Sequence, residues 1–113
     1  MQALAISVSI ARPPREVYEF VREPANMRRW AAGLSADAKF RFAERNGLGV
    51  LDHWVNVAPG TEVYVPMRVV PNGEGSELVF TLFRQPEMSD ADLAADAAAV
   101  KRDLDALKRL LEL

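Results

Sequence analysis

Apolar and polar residues alternate from the start of the chain. Leu4, Ile6, Val8 and Ile10 recur with a period of two, the signature of a strand with one buried face. Arg12-Pro13-Pro14 ends that strand, and proline suits a first helical turn because the N–H it lacks would have no partner there. Pro14 to Arg22 reads as a short helix with Val17, Tyr18, Phe20 and Val21 as its apolar residues. Pro24 restarts the chain, and Ala25 to Ala32 reads as a second short helix with Gly33 as its C′ residue. Strands are then predicted over Ala36 to Ala43, Leu48 to Val57, Glu62 to Val70 and Ser76 to Phe83. The turns between them, Arg45-Asn46-Gly47, Ala58 to Thr61 and Pro71 to Gly75, are too short for a parallel crossover, so the strands form an antiparallel meander. A long helix closes the pattern. Ser89 is its N-cap with Asp92 three residues on, and Leu93, Ala97, Val100, Leu104, Leu107 and Leu111 form one apolar stripe, read as a core face against the sheet.

Composition narrows what such a pattern can do. The 113 residues, half of them apolar and 27% charged, suit a single globular domain spanning 1–113. Fourteen basic and sixteen acidic residues leave a net charge of −2, which is no overall footprint for nucleic acid. The absence of cysteine excludes disulfides, thiolate catalysis and cysteine-ligated metals, and one histidine, His53, disfavours a protein-only zinc site. No continuous apolar block marks a signal peptide or a membrane span, so the expected compartment is the cytoplasm. No cofactor-binding motif is present.

The order of elements and three segments together resemble the START-like, or SRPBCC, superfamily of polyketide cyclase and pollen-allergen relatives. Ile6 to Val21, with Ala11-Arg12-Pro13-Pro14-Arg15-Glu16-Val17-Tyr18, is similar to the family's opening strand and first helix. Glu23-Pro24-Ala25-Asn26-Met27-Arg28-Arg29-Trp30 is similar to its second helix, and Val100 to Glu112 to its C-terminal ending. The resemblance implies an α+β helix-grip fold: a curved antiparallel sheet of about five to six strands wrapped on a long C-terminal helix, with two short helices after the first strand. It also implies a hydrophobic cavity between sheet and helix. Family members are commonly longer, and here the missing length falls between Trp30 and Phe40. That shortage implies a smaller or more open cavity, or one completed by a second copy in a homodimer.

Turn lengths set which residues face that cavity. With a three-residue turn at 45–47 and a four-residue turn at 58–61, Phe42 faces Val50, Phe40 faces Asp52 and Trp54 faces Val65. The expected concave face then carries Phe40, Phe42, Asp52, Trp54, Val65, Met67 and Phe80, joined by Trp30 near the cavity mouth; His53 points away, to the surface or rim. Asp52 is the single carboxylate on this face, either the polar anchor or general acid/base of a ligand pocket, or a structural acceptor for a backbone N–H, a tryptophan N–H or a tyrosine hydroxyl. His53 is the weaker catalytic candidate. Arg28 and Arg29 read as solvated charges.

Three functions follow as expectations. The leading one is binding of a small hydrophobic or aromatic molecule between sheet and helix, without metal or cofactor. The second is a cofactor-independent cyclase- or dehydratase-like enzyme with Asp52 moving a proton. The third is a dimerisation domain whose cavity is filled by Trp54, Phe80 and Met67. A nucleic-acid role is disfavoured, because no exposed face is expected to interleave aromatic and basic residues.

Overall fold

The computed structural model describes residues 1–32 and 38–113. In chain order the elements are β1 (Ala3–Ile10), α1 (Pro14–Arg22), α2 (Pro24–Trp30), β2 (Lys39–Phe42), β3 (His53–Ala58), β4 (Thr61–Val65), β5 (Met67–Asn72), β6 (Gly75–Phe83) and α3 (Asp90–Leu111). Gly33, the expected C′ residue of α2, and Ala36 and Asp37, the expected start of β2, lie outside the described residues.

The strands form two three-stranded antiparallel sheets, β1-β6-β5 and β2-β3-β4. Leu4, Ile6 and Val8 of β1 sit opposite Leu82, Phe80 and Leu78 of β6, and Met67 and Val69 of β5 sit opposite Phe80 and Leu78. Their shared face is the core side, as the alternation predicts. The expected single strand over 62–70 is divided at Pro66. Proline offers no ladder donor, so the backbone bends there and β4 gives way to β5. The bend joins the two sheets: Leu51 N–H donates to the Met67 carbonyl at 2.8 Å, Thr81 N–H to the Pro66 carbonyl at 2.9 Å, and Val50 bridges to Arg68.

Helix α3 lies along β1 and touches α2. Its Ser89 hydroxyl accepts from Asp92 N–H at 3.0 Å while the Asp92 carboxylate accepts from Ser89 N–H at 3.1 Å, a complete capping box. Ser89→Ala is expected to cost about 1 kcal/mol, read as a lowered urea midpoint with an unchanged m-value. Leu93, Leu104, Leu107 and Leu111 are buried on the core side of α3. With Val8, Ile10, Leu51, Met67, Val69 and Leu78 from the strands and loop, and Val17, Val21, Met27 and Trp30 from α1 and α2, Leu104, Leu107 and Leu111 make a packed core.

Candidate functional site

The inward residues fall into two zones. Where Val8, Ile10, Met67, Val69 and Leu78 meet Leu104, Leu107 and Leu111, the side chains are buried. Toward the other end of the sheet, Leu4, Ile6, Phe40, Phe42, Val63, Phe80 and Leu82 are only half-buried, as are Ala97 and Val100 on α3. This second zone is apolar surface that the protein's own helix leaves partly open.

The register of β3 differs from the expectation and decides what this zone contains. Phe42 pairs with His53 and Phe40 with Val55 on one side, while His53 pairs with Val65 and Trp54 with Tyr64 on the other. Two local features cause the change. The connection between β2 and β3 is not a three-residue turn. Asn46 organises a longer loop, its Oδ1 accepting from Leu48 N–H at 2.9 Å and Val50 N–H at 3.1 Å, its Nδ2 donating to the carbonyls of Glu44 and Val50. Gly49 turns there with φ 74° beside the Val69 carbonyl. Just before the Pro59-Gly60 turn, an irregularity between Asn56 and Ala58 shifts the β3–β4 register by one residue. Each change reverses the facing of β3 against one neighbour. Together they turn β3 over while β2, β4, β5 and β6 keep the expected faces.

Asp52 and Trp54 therefore leave the concave side, and His53 and Val55 enter it. Asp52 sits at the Pro66 bend, where its carboxylate accepts from Met67 N–H at 3.0 Å, Tyr64 O–H at 2.7 Å, and Arg68 Nε and Nη2 at 3.0 Å each. These bonds make it the structural acceptor of the bend. Burial alone would raise its pKa; the donors from Arg68, Tyr64 and Met67 outweigh that and hold it below the usual carboxylate range. An acid held ionised and occupied by four donors is a poor proton shuttle.

On the same outer face the Arg41 guanidinium lies 4.4 Å from the Trp54 ring centre, Trp54 stacks on Tyr64 at 5.2 Å, and Tyr64 on Phe83 at 6.3 Å. This corrects the expectation that no face interleaves aromatic and basic residues. Both arginines are already engaged by carboxylates, Arg41 by Glu62 and Arg68 by Asp52, which leaves this face poorly suited to a phosphate backbone.

His53, expected at the surface, is 4% exposed. Its ring lies among Phe40 (6.5 Å, 62°), Phe42 (5.2 Å, 44°) and Phe80 (6.3 Å, 71°), with Nδ1 3.0 Å from the Leu51 carbonyl. Burial pulls its pKa below the ordinary value, against smaller opposite pulls from the Leu51 carbonyl and the Asp52 charge. A histidine held neutral in the fold but not in the unfolded chain costs stability as the unfolded chain takes up a proton. Stability should therefore fall as pH drops below about 6.5, by at most about 1.4 kcal/mol per pH unit. Urea unfolding of wild type and His53→Phe between pH 7.5 and 5.5 checks this; the variant should lose that slope.

Trp30 is buried, and its Nε1–H is the sole fully enclosed side-chain nitrogen or oxygen without a hydrogen-bond partner among the described residues. Met67 and Val65 are buried on the concave side, and Phe40, Phe42 and Phe80 are half-buried there. Among the described residues no cluster of three His, Asp or Glu side chains has the arrangement to hold a metal ion, and no helix is long and apolar enough to cross a membrane. A cleft of about 510 Å³ opens elsewhere, between α1 (Pro14, Tyr18) and the 45–49 loop (Asn46, Leu48), and none of the expected site residues lines it.

The chain has a helix-grip fold, the architecture that the sequence resemblance implied. It superposes on DynU16, from the dynemicin biosynthetic locus, with a TM-score of 0.77 at 18% identity, covering 99% of this chain but 48% of that one, about half its length. Protein MLL2253 of Mesorhizobium loti superposes with a TM-score of 0.76 at 16% identity, covering 97% of this chain and 96% of that one. The Aha1 dimer protein of Colwellia psychrerythraea gives 0.67 at 15% identity, covering 100% and 98%. No family model and no curated protein matches the sequence.

Proposed function

We propose that the chain, acting as one domain over 1–113, binds a small hydrophobic or aromatic molecule on the concave face between the sheet and α3. One observation carries this reading: the half-buried apolar zone of Phe40, Phe42, Phe80, Leu82 and Val100 beside a packed core. A protein that needed this zone only for folding would close it, since buried apolar area contributes about 25 cal/mol per Å². The likeness to a protein of the dynemicin biosynthetic locus is compatible with an aromatic polyketide-like ligand. Phe40, Phe42, Val65, Met67 and Phe80 would line the site, with His53 in place of Asp52 and Trp54. The cyclase-like alternative is less favoured, because Asp52 is on the other face and His53 would be its one titratable group on the concave side.

Native mass spectrometry of the protein as purified tests the proposal. A co-purified hydrophobic mass, or a thermal shift with fatty acids or fused aromatics, is expected. An empty chain that no member of such a panel stabilises overturns the reading. The same spectrum counts subunits, which tests a homodimer; the likeness to an Aha1 dimer favours looking for one.

A further inference from the structure

We infer that the concave site selects compact aromatic molecules carrying one hydrogen-bond donor, and that His53 Nε2 is the acceptor that selects them. The inference rests on the reading of this face as a ligand site.

The tautomer follows from chemistry. A carbonyl oxygen only accepts, so the contact between His53 Nδ1 and the Leu51 carbonyl at 3.0 Å requires the proton on Nδ1. Burial favours the neutral ring. In a neutral ring with Nδ1 protonated, Nε2 carries a bare lone pair. Leu51 lies on the backbone two residues away, so the fold itself fixes which nitrogen is left bare.

The surroundings offer that lone pair nothing. Phe40, Phe42 and Phe80 flank the ring, two of them edge-on, and none has a polar atom. Among the described residues no donor reaches Nε2. Nor is Nε2 fully enclosed, since Trp30 Nε1 is the one enclosed atom without a partner. His53 is thus an acceptor set in an apolar aromatic surround and open on one side. A purely hydrocarbon ligand would cover this lone pair and leave it unpaired, which is costly; a ligand with an O–H or N–H directed at it would not. A site built to pair a polar atom discriminates against the analogue that cannot.

The test uses 2-naphthol and 2-methoxynaphthalene, equal in aromatic body and different in the donor, titrated by fluorescence at neutral pH against wild type and His53→Phe. Wild type should bind 2-naphthol about tenfold more tightly. His53→Phe should bind both alike, with the affinity for 2-methoxynaphthalene unchanged or higher. The chain has a single histidine, so nitrogen-15 spectra of the wild-type imidazole report on His53 alone. The Nε2 resonance should move with 2-naphthol and not with 2-methoxynaphthalene, a readout that stands even if the variant does not fold. Equal wild-type affinities, or an Nε2 resonance indifferent to 2-naphthol, overturn the role of His53 and leave the ligand site standing. Binding of neither compound overturns both.

Discussion

Asp52→Ala is expected to destabilise the protein by about 2–3 kcal/mol and to lower its melting temperature by roughly 10–20 °C, while leaving the affinity of any concave-face ligand unchanged in the folded fraction. The cost comes from what stays behind. Four donors from three residues converge on one carboxylate, and removing it strands the Met67 N–H beside Pro66, where the ladder has no other acceptor. Arg68 is half exposed and recovers water, which keeps the figure below the 3–5 kcal/mol of a fully buried pair. Asp52→Asn should fall between, because an amide oxygen still accepts but cannot serve the guanidinium as a carboxylate does. Calorimetry beside a ligand titration decides the matter. If Asp52→Asn leaves stability intact and abolishes binding, Asp52 is a ligand anchor and the account of the bend is wrong. The carboxylate's depressed pKa also gives a pH signature. Its contribution is complete above its ordinary value of 3.8 and is lost as pH falls through the lower folded value, a window well separated from that of His53.

Gly49→Ala is expected to cost about 3–5 kcal/mol, a large share of the stability of a domain this size. Two penalties add. Gly49 holds φ at 74°, which costs a residue with a Cβ about 1–2 kcal/mol. The new methyl group would also drive into the Val69 carbonyl oxygen, which is backbone and has no rotamer to escape by. Moving it apart also loosens the 2.9 Å bond from Val69 N–H to the Gly49 carbonyl, the contact that lays the loop along β5. Gly60→Ala is the control: φ is 76° but nothing stands near an added Cβ, so only the conformational cost of about 1–2 kcal/mol applies. Equal urea midpoints for the two variants would show that the approach of Gly49 to Val69 carries no weight.

Both residues belong to the segment where sequence and structure part. The period-two pattern of β1, the proline starts of α1 and α2, the Ser89 box and the stripe from Leu93 to Leu111 all rest on interactions within a few residues, and a sequence shows them directly. The β5–β6 hairpin was legible for the same reason, because Asn72 and Gly75 close it locally and the pairing of Met67 with Phe80 follows by counting. The β3 facing was not. Arg45-Asn46-Gly47 resembles a tight turn, yet Asn46 uses its side chain to bond Leu48 and Val50 and hold a wider loop. The irregularity near Val57 leaves no mark of its own in the residues.

The candidate site divides along the same line. That Phe40 and Phe42 share one face of β2, and that Met67 and Phe80 meet on one face of the β5–β6 hairpin, was determined by the sequence, since neither depends on β3. That Asp52 closes a bend, that Trp54 stacks on Tyr64 outside, and that His53 stands among three phenylalanines inside were decided only by the tertiary structure. Alternation within a strand is local and carries a phase relative to its own residues alone. The phase between strands is set where they pair, and one loop and one irregularity, each worth an odd number of residues, exchanged an aspartate for a histidine in the interior.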